Sequence, residues 1–181
     1  MNNQENKNKH ILGYRGEEDR SYALAGMAIS LASLDALDRV ASVSIDYAGP
    51  MVEFTGEFYY GGSPSVSPKA TWHRLIDNYR LTSSLAISNV LARCLARDGG
   101  TDPTDMLNEL FPTLRSEGEE ICRLEADELD AFISSILSQA NRIFGNPRLR
   151  NPLTQLAGII RRERILSGRS LAEEMHYLRL I

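Results

Sequence analysis

The sequence predicts a mostly α protein: an irregular bundle of about six helices with one antiparallel β-hairpin between the first two. Three observations carry this. Apolar residues recur every three or four positions over most of the chain beyond Glu17. Period-2 alternation is confined to one stretch, Ala41 to Tyr60. Helix-start signals punctuate the rest: Ser67-Pro68, Asp102-Pro103, Asn151-Pro152 and two Ser-x-x-Glu boxes.

The first helix is expected over about 17–39. Leu24, Met27, Ala28, Leu31 and Leu34 form its apolar stripe. Ala23, Ala25, Gly26, Ser30, Ala32 and Ser33 make it small-sided, which suits a central helix approached closely by a neighbour. A close contact at Gly26 would offset its propensity cost of roughly 1 kcal/mol against Ala.

The hairpin follows, at about 41–60. Val43, Ile45 and Tyr47 alternate with Ser42, Ser44 and Asp46 on one arm. Val52, Phe54, Phe58 and Tyr60 alternate with Glu53, Thr55, Glu57 and Tyr59 on the other, and Ala48-Gly49-Pro50 supplies the turn. An isolated two-stranded ribbon is marginal in water, so its apolar face must lie on helices or on a second hairpin from another subunit.

The second helix is expected from the Ser67 cap to about Arg97, with Trp72, Leu75, Ile76, Tyr79, Ala86, Val90 and Cys94 on one face and a bend at Leu81 to Ser84. The third starts at Asp102-Pro103 and is cut or bent by Pro112. The fourth starts at a Ser116/Glu119 box and runs to Phe144, with Ile121, Leu124, Leu129, Phe132, Ile133, Ile136 and Leu137 as its core side. The fifth starts at Asn151-Pro152, passes through Ile165 and closes at Gly168. The sixth, Leu171 to Leu180, follows a Ser170/Glu173 box.

A chain of 181 residues fits one domain, expected here as a disordered tail over 1–14 and a helical domain over 15–181. Such a chain buries roughly 70% of its unfolded surface and folds without metal or disulfide. The formal net charge of −4 excludes a general polycation. Cys94 and Cys122 lie in apolar helical contexts and read as buried thiols of a reducing compartment. The polar start lacks the apolar core of a secretion signal, no apolar run could span a membrane, and no glycosylation sequon occurs. A cytoplasmic protein without membrane contact is expected.

Motifs for chemistry are thin. Glu173 and His176 share a helix face, but a di-iron bundle needs a second Glu-x-x-His pair, and neither His10 nor His73 supplies one. His73 and Asp77 are two ligands where zinc needs at least three. Gly61-Gly62-Ser63-Pro64-Ser65 lacks the second glycine of a nucleophile elbow. Cys122 stands among Glu119, Glu120 and Glu125, which raise a thiol pKa. No phosphate or dinucleotide loop is present. No cofactor is expected.

Charge patterning is the one functional signal. Glu117 to Asp130 holds seven acids and one base; Arg142 to Arg169 holds seven arginines and one acid. These segments pair within one chain, pair between two chains of a symmetric dimer, leave the arginines for phosphates or an acidic partner, or are two ordinary solvated helix faces. Arg161 and Arg164 share a helix side, and Arg162 does not. Candidate binding residues are Arg148, Arg150, Arg161 and Arg164, with Tyr59 and Tyr60 at the end of the ribbon. The leading expectation is a non-enzymatic interaction or scaffold protein acting as a homodimer through the Arg-rich helices and the hairpin. The alternative is a nucleic-acid-associated protein using those arginines on phosphates, and a third reading is an enzyme whose site the sequence does not reveal.

Overall fold

The computed structural model describes residues 11–46, 48–56, 58, 68–97 and 100–181. Residues 1–10 of the predicted 1–14 tail, Tyr47, Tyr59, Tyr60, the loop 61–65 and the Ser67 cap lie outside them. Six α-helices and a small antiparallel sheet are found among the described residues, with the β1–β2 hairpin between the first two helices.

Helix α1 spans Glu17–Ser33 and runs through the centre. Ala23, Leu24, Ala25, Ala28 and Leu31 are wholly buried. Helix α2, Pro68–Ala96, lies along it. A Cβ at Gly26 would overlap the Ala92 methyl and stand 2.7 Å from the Ser88 carbonyl oxygen, so glycine is what admits α2 at this distance. Helix α1 ends earlier than predicted. Asp35 turns to φ 52°, and a 3-10 turn, Leu37–Arg39, leads into the sheet.

Strand β1, Val40–Ser44, pairs with β2, Val52–Phe54, through Val40 opposite Phe54 and Val43 opposite Val52, with a bulge between Val40 and Ser42. The second arm is shorter than predicted: Gly56 and Phe58 are already helical, and the Phe58 ring stacks on Phe54 at 4.0 Å. A third strand, β3, Ile165–Ser167, pairs with the other edge of β1, giving the order β2-β1-β3. Val43 and Ile45 are buried against the helices.

Helix α2 is continuous through Leu81 to Ser84, where a bend was expected. The Thr82 and Ser84 hydroxyls donate to the carbonyls of Asn78 and Arg80 one turn back, and the ladder runs on. Tyr79, Val90 and Cys94 are buried as predicted, but Trp72 and Leu75 are exposed.

Helix α3, Thr104–Glu117, starts where Asp102 accepts from the Thr104 amide, and it passes through Pro112 without a break. A π turn, Gly118–Cys122, then continues it, so Ser116 caps nothing. Arg123, at φ 57°, ends the run, and Glu125 and Glu128 form the capping box of α4, Ala126–Phe144. The predicted cap, Ser116, was nine residues early. Ile121, assigned to the core, faces solvent instead. Tyr79, Cys122 and Leu129 form a small second core.

Helix α5, Arg150–Glu163, follows a 3-10 turn, Pro147–Leu149, capped by Asn146. It stops before Ile165 because Arg164 takes φ 63° and hands the chain to β3. Ser167, not Ser170, caps α6, Gly168–Tyr177, by accepting from the Ser170 amide. A Cβ at Gly168 would overlap the Val40 carbonyl oxygen, so this glycine lets α6 begin directly against β1. No helix among the described residues is long and apolar enough to cross a membrane.

Candidate functional site

The most ordered polar constellation lies where the chain before α1 crosses the C-terminal half of α2. Arg93 interrupts an apolar run of α2 and has 1% of its surface exposed. Its Nε and Nη2 donate to Asp19 Oδ2 at 3.0 and 2.7 Å; Nη1 donates to the Leu12 carbonyl at 2.9 Å and Nη2 to that of Gly13 at 2.7 Å. The Tyr14 ring covers the guanidinium at 4.7 Å. A buried guanidinium needs such a partner set, because an unpaired charge away from water is very costly. Arg20, also buried, donates to the Ile45 and Asp46 carbonyls, tying α1 to the end of β1. Tyr14 accepts from the Asn89 amide at 2.8 Å. Leu12, Gly13 and Tyr14, placed by sequence in a disordered tail, are therefore held by this network.

Asp19 is the carboxylate at its centre. Burial pushes its pKa up, but the hydrogen bonds from Arg93 and the Arg15 amide and the charges of Arg93 and Arg97 outweigh that, and it titrates below the usual carboxylate value. Sequence reading missed this network. The available signal was an arginine inside the apolar stretch Ala86 to Ala96, which demands a buried anion from elsewhere.

The predicted site residues separate. Arg164 donates to Asp46 Oδ1 at 2.6 Å and to Glu17 Oε1 at 2.6 Å, and Arg161 lies 3.9 Å from Glu18. These two lie at the C-terminal end of α5, bound to acids of α1 and the hairpin. Arg148 and Arg150 lie at its other end, roughly 16 Å away at 1.5 Å per residue, exposed and without an ion pair among the described residues. Arg162 pairs with Glu163 and Arg169 with Glu173, while Asp130 of the acidic segment pairs with Arg115. Among the described residues the acidic and arginine-rich segments do not pair with each other. Tyr59 and Tyr60 lie outside the described residues.

The hairpin's surface is also changed by the fold. Its β1 edge, open in a two-stranded ribbon, is occupied by β3 of the same chain. A different surface emerges at the N-terminal end of α2. Trp72 is 44% exposed, Leu75 38% and, on the π turn, Ile121 50%. Trp72 Nε1 donates to the Cys122 carbonyl at 3.1 Å, which fixes the indole beside Ile121's turn. The surrounding charges are of both signs: Lys69 and Arg123 are basic, Glu119 and Glu120 acidic, all exposed.

Cys94 donates to Met106 Sδ and Cys122 to the Leu75 carbonyl; burial raises both thiol pKa values, which disfavours the nucleophilic thiolate. Glu173, half of the Glu-x-x-His pair, accepts from Arg169. No cluster of three metal-ligating side chains occurs among the described residues. No family model matches the chain, and no curated protein or solved structure matches it.

Proposed function

We propose that this chain is a non-enzymatic intracellular interaction or scaffold protein that acts as a homodimer, through the face formed by Trp72, Leu75 and Ile121. The observation that carries the reading is the exposure of these three large apolar side chains at one junction, since contiguous exposed apolar surface marks interaction sites. The occupant is a second copy. Exposed charges of both signs, Lys69 and Arg123 with Glu119 and Glu120, stand close in sequence to these side chains, and mixed charge of this kind suits a self-complementary twofold contact. The buried free thiols support the intracellular placement.

A second reading, binding of nucleic-acid phosphates, draws support from Arg148 and Arg150, which are exposed and carry no acid partner among the described residues. Sedimentation velocity of the purified protein, with absorbance at 260 and 280 nm at low and high salt, separates the two. A dimer that persists at high salt and becomes monomeric on Leu75→Glu with Ile121→Glu supports the first. A monomer at about 100 μM sinks it. A complex rich in 260 nm absorbance that dissociates with salt moves the assignment to the arginines.

A further inference from the structure

We propose that a groove at the C-terminal end of α2 is a binding site for a small organic carboxylate, with Arg97 as its anchor. The groove has a volume of about 660 Å³ and is lined by Arg15, Asp19, Tyr22, Arg97 and Thr101 among others. A guanidinium carries five donors in a fixed fork, matched to the two oxygens of a carboxylate. Arg93 uses that fork fully on Asp19 and two carbonyls. Arg97, one turn further along the same helix, does not. Its side chain is 18% exposed, its Nη2 stands 3.6 Å from Asp19 Oδ1, and its Nη1 meets only the Met106 sulfur at 3.8 Å. Among the described residues the Arg97 guanidinium makes no hydrogen bond to an oxygen, although it is largely withdrawn from water.

Asp19 gives it an ion pair through Oδ1 at 3.6 Å but no hydrogen bond, because the carboxylate is held by the three bonds that Arg93 and the Arg15 amide make to Oδ2. The buried Arg93 and the partly buried Arg97 share one carboxylate, and Arg97 lines the groove. Tyr22 and Thr101 line the same groove, and their hydroxyls make no side-chain hydrogen bond among the described residues. They would serve the remaining lone pairs of a bound carboxylate. Inorganic phosphate, which a guanidinium fork also accepts, is the rival ligand. This site is separate from the Trp72 face and does not depend on it.

The test is calorimetric titration of the whole chain with benzoate, with inorganic phosphate as the rival anion, at constant ionic strength. Benzoate is expected to bind saturably with a Kd of about 1 mM, in keeping with its size. Arg97→Gln is expected to weaken binding at least tenfold while circular dichroism stays that of the parent. Thr101→Val, at an exposed position, is expected to weaken it a few-fold, and it carries the test alone if Arg97→Gln does not fold. No saturable benzoate binding up to 50-fold above the expected Kd overturns the proposal. Unchanged affinity in a folded Arg97→Gln, or in Thr101→Val where that is the variant that folds, also overturns it. Phosphate binding tighter than benzoate overturns the assignment to carboxylates.

Discussion

Replacing Arg93 by Met tests whether the buried guanidinium organises this end of the molecule. Methionine matches much of the arginine stem and removes only the charged fork. The variant leaves Asp19, whose side chain is 11% exposed, with the Arg15 amide and a distant Arg97 as partners, and it uncovers the Leu12 and Gly13 carbonyls. Breaking a buried pair by removing one partner costs about 3–5 kcal/mol. The two carbonyls lie near the surface and regain water, so the lower end, about 3 kcal/mol, is the expected loss. A domain of this kind holds ~5–15 kcal/mol in all. With a urea dependence of ~2 kcal/mol per molar, the midpoint should fall by about 1.5 M. Asp19→Asn should also destabilise, because it strands Arg93. The double variant should lose less than the sum of the two, with a coupling of about 1–3 kcal/mol. A midpoint shift below about 0.3 M for Arg93→Met, or strict additivity in the double variant, would refute the reasoning.

Other consequences follow from the same contacts. Gly168→Ala places a methyl on the Val40 carbonyl, a backbone group that cannot rotate away; a loss of about 1–3 kcal/mol is expected by urea titration, with faster amide exchange at Val43. Asp19 titrates below its unfolded value, so the stability it contributes is complete above about pH 4 and disappears as pH falls through the folded pKa. The difference in urea midpoint between the parent and Asp19→Asn should hold steady from pH 7 to pH 5 and shrink below about pH 4; a constant gap down to pH 2.5 would contradict this. Cys94 and Cys122 should resist a thiol reagent at neutral pH in the folded protein and react fully in denaturant. Replacing Arg161 and Arg164 together by Ala should leave the fold intact and lower the melting temperature only slightly, less at high salt, since their acid partners are in solvent.

The sequence by itself determined that the six long helices exist, though not their ends, because propensity, caps and a 3.6-residue apolar period are local properties. It marked α1 as central through its small side chains, and the Gly26 contact with Ala92 and Ser88 is the physical reason. It located β1 and the start of β2 by alternation. Tertiary structure decided what local signals could not. Strand β3 is three residues long, too short to show a period, and exists only because Arg164 turns the chain onto the free edge of β1. The Ser116/Glu119 and Ser170/Glu173 boxes had the right spacing, yet the adjoining helices ran past them, since a cap acts only where packing ends a helix. Trp72, Leu75 and Ile121 had a core-like period, but the fold leaves all three side chains exposed. The pairing of Arg93 with Asp19 joins residues 74 apart. An isolated charge in an apolar helix announces that it needs a partner; only the fold chooses which one.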